Sequence, residues 1–200
     1  MTTKKKSTRR RFFRPIPTTY EINLKSFKFW RNAFLIFWIF SFIGHLLEYA
    51  WAALPLLFGQ PSHIDRIPFF VVAAPYGLGA LALIWLVWPF VLRGRIGIVA
   101  TYALSVIVTT SVEFICAAAV VFLLGYNPFW NYSNQPFNLF GYVCLPNSLA
   151  FGIVSVLMLY YVFPILNNFL NKIKRRWLDI VFWILFVSYT AVQISRFFSN

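Results

Sequence analysis

Five runs of apolar residues, near 31–58, 67–92, 96–124, 146–170 and 177–198, set the limits on this chain. Each reaches or exceeds the roughly 20 residues that cross a hydrocarbon core. In lipid, every backbone N–H and C=O of such a run must be bonded within the segment, which selects the helix. Composition offers no water-facing alternative: 60% of residues are apolar and 12% are charged, where a soluble domain carries about 25% charge. The expected fold class is therefore all-α, a polytopic membrane bundle of five transmembrane helices (31–200) behind a basic arm (1–30). The first run is longer than a signal-peptide core and contains Glu48, so it is read as an uncleaved helix despite the "AWA" at 50–52.

Charge gives the bundle a direction. Residues 1–31, the amino-terminal arm with Arg31, hold ten of the 18 basic residues, the "RGR" at 93–95 two, and the "NKIKRRW" at 171–177 four. Arg66 and Arg196 alone fall on the opposite side. Five spans with a cytoplasmic amino terminus follow, because basic loops stay inside. The net charge of +13 is concentrated in the arm, with no reading module behind it, so nucleic acid is excluded and anionic membrane lipid is the expected contact. Cys116 falls in a span and Cys144 in the loop after it, a placement that implies no bridge.

That loop, "FWNYSNQPFNLFGYVCLPN" (129–147), contains no charged residue and lies outside, between spans three and four. It is too polar to span and too aromatic for a plain solvent loop. An interfacial or re-entrant segment folded over the helices is expected, with Trp130, Phe137 and Phe140 seated at the interface and Asn131 and Asn138 offering uncharged donors and acceptors beneath.

Four spans carry polar residues at one depth below this segment. Arg31 to Glu48 is 17 residues, Arg93 back to Tyr76 is 17, Arg95 to Glu113 is 18, and Arg176 to Gln193 is 17. At 1.5 Å per residue these positions lie roughly 26 Å from the cytoplasmic end. Intramembrane carboxylates are costly and usually face an interior cavity. Ser41, His45 and Glu48 share one helical face, as do Ser105, Thr109 and Glu113. Pro75, Tyr76 and Gly77 are expected to break the second span there, and Arg196 is the natural counter-charge. Glu48, Glu113, Tyr76, Asn131, Asn138, Gln193 and Arg196 are thus the candidate binding residues. The same residues admit a structural reading, in which the glutamates pair with Arg196 or tyrosine hydroxyls and fix helix packing.

Other chemistry lacks its parts. His45 with Glu48, and His63 with Asp65, are too few ligands for a metal site. No phosphate-binding loop, nucleophile elbow or zincin motif occurs, so no cofactor is expected and no catalytic residue is assigned. The paired glutamates have no soluble substrate cleft for glycosidase work. Asn131-Tyr132-Ser133 is a glycosylation sequon, a triplet common by chance.

"GHLLE" at 44–48, "PYGLG" at 75–79, Glu113, "WNYSNQPFNLFGYVCL" at 130–145 and Gly152 resemble the putative ABC-transporter type IV (CmpB-like permease) family. The long motif resembles the signature W-D-Y-S-x-x-P-F-N-x-x-G-x-x-C-L, and the resemblance covers roughly residues 33–170. It implies a multispanning protein of the bacterial cytoplasmic membrane, permease-like, with a separate ATPase subunit as partner. The chain is a divergent member: Asn131 stands where an Asp is usual, Tyr142 where a base is common and His45 where a Trp is typical. An acid and a base lost together point to a removed ion pair. The internal loops have no room for a coupling helix, which leaves the arm to meet an ATPase.

Three functions remain open: a permease-like transporter subunit with an outer-leaflet polar site, an intramembrane enzyme using the two glutamates on a lipid or other amphipathic substrate, and a non-catalytic partner subunit. Five helices are few for a conduction path, so a homo- or hetero-oligomer is expected.

Overall fold

The computed structural model describes residues 14–58 and 73–199, with side chains through Val192. Asp65, Arg66, His63 and the expected start of span two at 67–72 lie outside the described residues, as do the first 13 residues of the arm. The architecture is all-α apart from one two-residue hairpin. Helix α1 (Phe27–Ala53) runs into a 3-10 turn (Leu54–Phe58); α2 (Ala74–Leu86) and α3 (Trp88–Leu92) follow, then α4 (Ile98–Leu124). Strands β1 (Asn138–Leu139) and β2 (Val143–Cys144) precede α5 (Leu145–Leu157), which continues through a π turn (Met158–Val162) into α6 (Phe163–Lys172). Helix α7 (Arg175–Ser199) ends the chain.

Among the described residues, Phe27–Phe58, Ile98–Leu124 and Leu145–Lys172 are long and apolar enough to cross a membrane, and Ala74–Leu86 is a shorter apolar helix. The protein is a multi-pass membrane protein. Helices α2–α3 and α7 stand where runs two and five are expected; α7 opens with Arg175, Arg176 and Asp179 and falls outside the set of long apolar helices.

Breaks in the helices follow the glycines and prolines. Pro89 has no N–H for the carbonyl four residues back, and the second run divides at Val87. Gly94 takes φ 64° in the tight "RGR" turn, where Arg95 N–H donates to Phe90 O at 2.9 Å. Pro75 opens α2 in its first turn, where a missing N–H costs nothing, so it starts this helix rather than interrupting one. Pro164 leaves the Tyr160 carbonyl without its usual donor, next to the π turn. Ile16 N–H fills that vacancy at 3.0 Å.

Helix α1 packs on α2, α2 on α4, α4 on α5, and α7 lies against α1. The apolar core runs through Ile36, Ile84, Trp88, Leu159, Phe163 and Phe182. At the end of the bundle formed by the start of α1 and by α6, the arm joins it. Thr18 Oγ1 donates to Asn168 Oδ1 at 2.6 Å, Asn167 Nδ2 donates to Thr18 Oγ1 and to Thr19 O at 2.8 Å each, and Asn168 Nδ2 donates to Pro17 O at 2.9 Å. Residues 16–20 are therefore part of the packed unit. Arg31, 1% exposed, donates to Asp179 Oδ1 at 2.6 Å and to Asn32 Oδ1 at 2.9 and 3.1 Å. This pair ties α7 to α1, with exposed Arg175 a second, longer partner of Asp179 at 3.6 Å.

Removing one partner of a buried pair strands the other charge. Breaking such pairs costs about 3–5 kcal/mol, and the partial exposure of Asp179 brings the expected loss for Asp179→Ala to roughly 2 kcal/mol. Unfolding of the variant in detergent measures it, and an unchanged midpoint would contradict this role for the pair.

Candidate functional site: the outer polar layer and its cap

Two glycines bring α1 and α2 into contact at the outer end. A Cβ on Gly44 would fall within the Tyr76 ring, and one on Gly77 would strike Ser41 Oγ and the Phe37 side chain and carbonyl. Gly44 of "GHLLE" thus receives Tyr76 of "PYGLG", while Gly77 of "PYGLG" meets Phe37 and Ser41, which precede "GHLLE" on α1. Small residues at a membrane helix interface allow this close approach. Across the bundle a Cβ on Gly152 of α5 would meet Val106 and Tyr102 of α4. Ser148 and Ser155 of α5 are buried, as are Thr101 and Ser105 of α4.

Tyr76 is the hub of the layer. Its ring lies edge-on to Phe151 of α5 at 5.9 Å. The Tyr76 hydroxyl hydrogen-bonds the Glu48 carboxylate and lies within electrostatic reach of Glu113 and Tyr132. Glu113 is 8% exposed, and its Oε1 accepts the Tyr132 hydroxyl at 3.0 Å. Glu113 Oε2 is buried with no partner among the described residues. His45 is 3% exposed, packs against the Tyr49 ring at 6.0 Å and acts electrostatically on Glu48; its Nε2 also has no partner.

The expected helical faces hold in part. On α4, Ser105 and Glu113 are buried and Thr109 donates to Ser105 O at 2.8 Å, so the inner half of that stripe serves the helix itself. On α1, Ser41 and His45 are buried, but Glu48 is exposed instead of facing the interior. It stands one turn above Gly44, roughly 6 Å beyond the level at which Tyr76 covers α1. Both ion pairs among the described residues use Asp179, so neither glutamate has one. The Gln193 and Arg196 side chains lie outside the described residues.

The segment between α4 and α5 forms a self-bonded cap. Gly125 ends α4 in the left-handed region at φ 79°. Leu139 and Tyr142 close a tight turn (Tyr142 N–H to Leu139 O, 3.0 Å) whose central residues Phe140 and Gly141 have φ 55° and 70°. Positive φ at both positions matches the strand twist of a hairpin. A left-handed Phe costs about 1–2 kcal/mol, and Phe137 adopts φ 53° as well. Both rings point outward, 80% and 76% exposed, as interfacial anchors do. Trp130 is half-buried, with its indole N–H donating to Tyr142 O at 2.9 Å.

Asn131 and Asn138 act inside the cap. Asn131 Oδ1 accepts Ser133 N–H at 2.9 Å and Ser133 Oγ at 2.6 Å. Asn138 Nδ2 donates to Ser133 O and Gln135 O, and its Oδ1 accepts Gly141 N–H at 3.1 Å. These asparagines shape the cap and do not meet the glutamates. Tyr132, between Asn131 and Ser133, is the residue that reaches down, and sequence reasoning passed over it. The signal was present: a phenol flanked by turn formers in a charge-free segment above a buried Glu. Phe114 of α4 adds an apolar contact, stacking with Tyr142 at 5.5 Å.

Burial, and secondarily the Glu113 charge, raises the Tyr132 phenol above its ordinary pKa. The unfolded chain loses this proton near the usual value of about 10. The resulting stability is complete below that pH and is lost as pH rises through the folded value. Tyr132→Phe should flatten the alkaline fall in melting temperature and cost about 1 kcal/mol at neutral pH for the lost hydrogen bond. Backbone hydrogen exchange across 126–144 should rise in the same variant; unchanged exchange would mean that the Tyr132 bond does not hold the cap.

No match was found among curated proteins or among solved structures. The two glycine motifs, Glu113 and the whole cap fall within residues 35–195, which match one family. The chain belongs to the family described as "Putative ABC-transporter type IV".

Proposed function

We propose that this chain is the membrane subunit of a transporter, and that its ligand site is the outer polar layer beneath the cap. At family level it is a transporter-related membrane protein. The observation that carries the finer reading is the Glu113 carboxylate: buried, held at one oxygen by the cap through Tyr132, and without a partner at the other. A carboxylate buried for packing alone would be expected to have both oxygens satisfied. Here the unfilled acceptor lies under a segment that Tyr132 joins to Glu113 of α4 and to Asn147 of α5, a geometry suited to admitting a ligand.

Glu48 is committed to Tyr76 and Glu113 to Tyr132, so each acid has its own phenol. That arrangement favours binding over paired acid–base catalysis, the intramembrane-enzyme alternative. Family membership raises a separate ATPase as partner. Its dock would be the cytoplasmic side, where Arg93, Arg95, Lys174, Arg175 and Arg176 are exposed around connections too short for a coupling helix. The five-span topology, cytoplasmic amino terminus and bacterial inner-membrane setting belong to the same proposal and rest on the distribution of basic residues.

Gentle-detergent purification of wild type and Glu113→Gln, followed by mass spectrometry of bound material, tests the site. A small molecule retained by the wild type should fall about tenfold or more in the variant, equivalent to about 1.4 kcal/mol. Yield and melting temperature should be preserved. Equal ligand content in a variant that melts lower would instead assign Glu113 to packing. A co-purifying ATPase would identify the energy source.

A further inference from the structure

We infer that the ligand of the outer layer is a protonated primary amine, its ammonium group received by Glu113 Oε2 and its carbon chain by the Tyr76 and Phe151 rings. This inference rests on the outer layer being a ligand site and names the chemistry that fits it.

Four observations select this class. First, the layer is acidic: among the described residues, neither Lys nor Arg occurs in 32–58, 73–92 or 96–171, whereas Glu48 and Glu113 both do. An anion would find no cationic partner among the described residues there. Second, the unfilled carboxylate oxygen is an acceptor: Glu113 Oε2, in a residue 8% exposed, has no donor among the described residues. An ammonium group brings three N–H donors and a positive charge; a quaternary ammonium brings the charge alone. Third, the walls are aromatic. Tyr76 and Phe151 meet edge to face, Tyr49 packs on His45, and Tyr132 closes the top. Cations are attracted to such ring faces. Fourth, a hard metal ion would need six or more oxygens for calcium, or an octahedral set for magnesium. The described layer supplies two carboxylates and neutral phenols.

The cap then senses the amine. Tyr132 and an ammonium group both donate to the Glu113 carboxylate, so the occupied state need not break the tether. Both hold the same acid, and binding should tighten the cap.

The test uses benzylamine hydrochloride on the purified full chain, with benzyl alcohol as the neutral isostere and sodium chloride at matched ionic strength. Benzylamine should raise the melting temperature saturably, and benzyl alcohol and sodium should not. Glu113→Gln should weaken benzylamine at least about tenfold. Because that variant could fold poorly, a second measurement uses the wild type: labelling of Glu113 by a hydrophobic carbodiimide, read by peptide mass. With benzylamine the Glu113 peptide should keep its unmodified mass, carrying neither the carbodiimide adduct nor the benzylamide formed when the amine captures an activated carboxyl, and benzyl alcohol should leave labelling unchanged. Saturable stabilisation or protection by sodium chloride or benzyl alcohol, equal to that by benzylamine, overturns the amine assignment. So does the absence of any benzylamine effect. In either case, ligand retention lost in Glu113→Gln would still support the outer site, whereas retention unaffected by that change would overturn the site itself.

Discussion

The seating of the Tyr76 ring over Gly44 is the contact on which the outer half of the molecule depends. It sets how close α1 and α2 come, and hence where Ser41, His45 and Glu48 stand relative to α4. It presents the phenol to Glu48 at one end and the ring to Phe151 at the other. Residues from α1, α2, α4, α5 and the cap therefore meet around one side chain. A methyl group at position 44 would separate them, because the helix axes cannot stay at this distance with a Cβ between them.

The two ends of the bundle treat buried polarity in opposite ways. At the end that holds the arm, most buried polar groups have partners: Arg31 has Asp179 and Asn32, Asn167 has Thr18 and Thr19, and the carbonyl opened by Pro164 has Ile16, while Trp88 Nε1 has none. Toward the cap, Ser41 Oγ, His45 Nε2 and Glu113 Oε2 have none among the described residues. Buried polar groups left unpaired cost free energy, more so in a low-dielectric setting. Fully bonded networks make an end rigid, and unfilled ones make it receptive.

Much of this was legible in the sequence because membrane spans and their depth are set by simple lengths. Apolar runs located the helices, and equal residue counts from the basic anchors singled out Glu48, Tyr76 and Glu113, which interact through Tyr76 in the structure. Less legible was what each residue faces. Glu48 shares a helical face with Ser41, yet lies above the level that α2 covers, which depends on where α2 begins. Asn131 and Asn138 read as ligand groups because asparagine composition does not reveal that their amides close turns of their own segment. The role of Gly44 needed its partner across the interface, and a single sequence does not show that pairing.

The cap's missing charges gain meaning from its geometry. Tyr132 N–H donates to Gly141 O at 2.9 Å, so positions 131 and 142 flank a bonded step of the same turn. An acid at one and a base at the other, the pattern resembled by this family's signature, would stand within reach of each other there. Asn131 keeps the acceptor oxygen that the turn to Ser133 requires, so losing the acid leaves the local fold intact. Tyr142 replaces a base with a ring that packs on Phe114. The turn is thus preserved while the cap becomes neutral. A base at position 142 would place a positive charge in the segment directly above Glu113 and offer that carboxylate a resident partner. Without it, the carboxylate beneath the cap depends on Tyr132 and on what binds there.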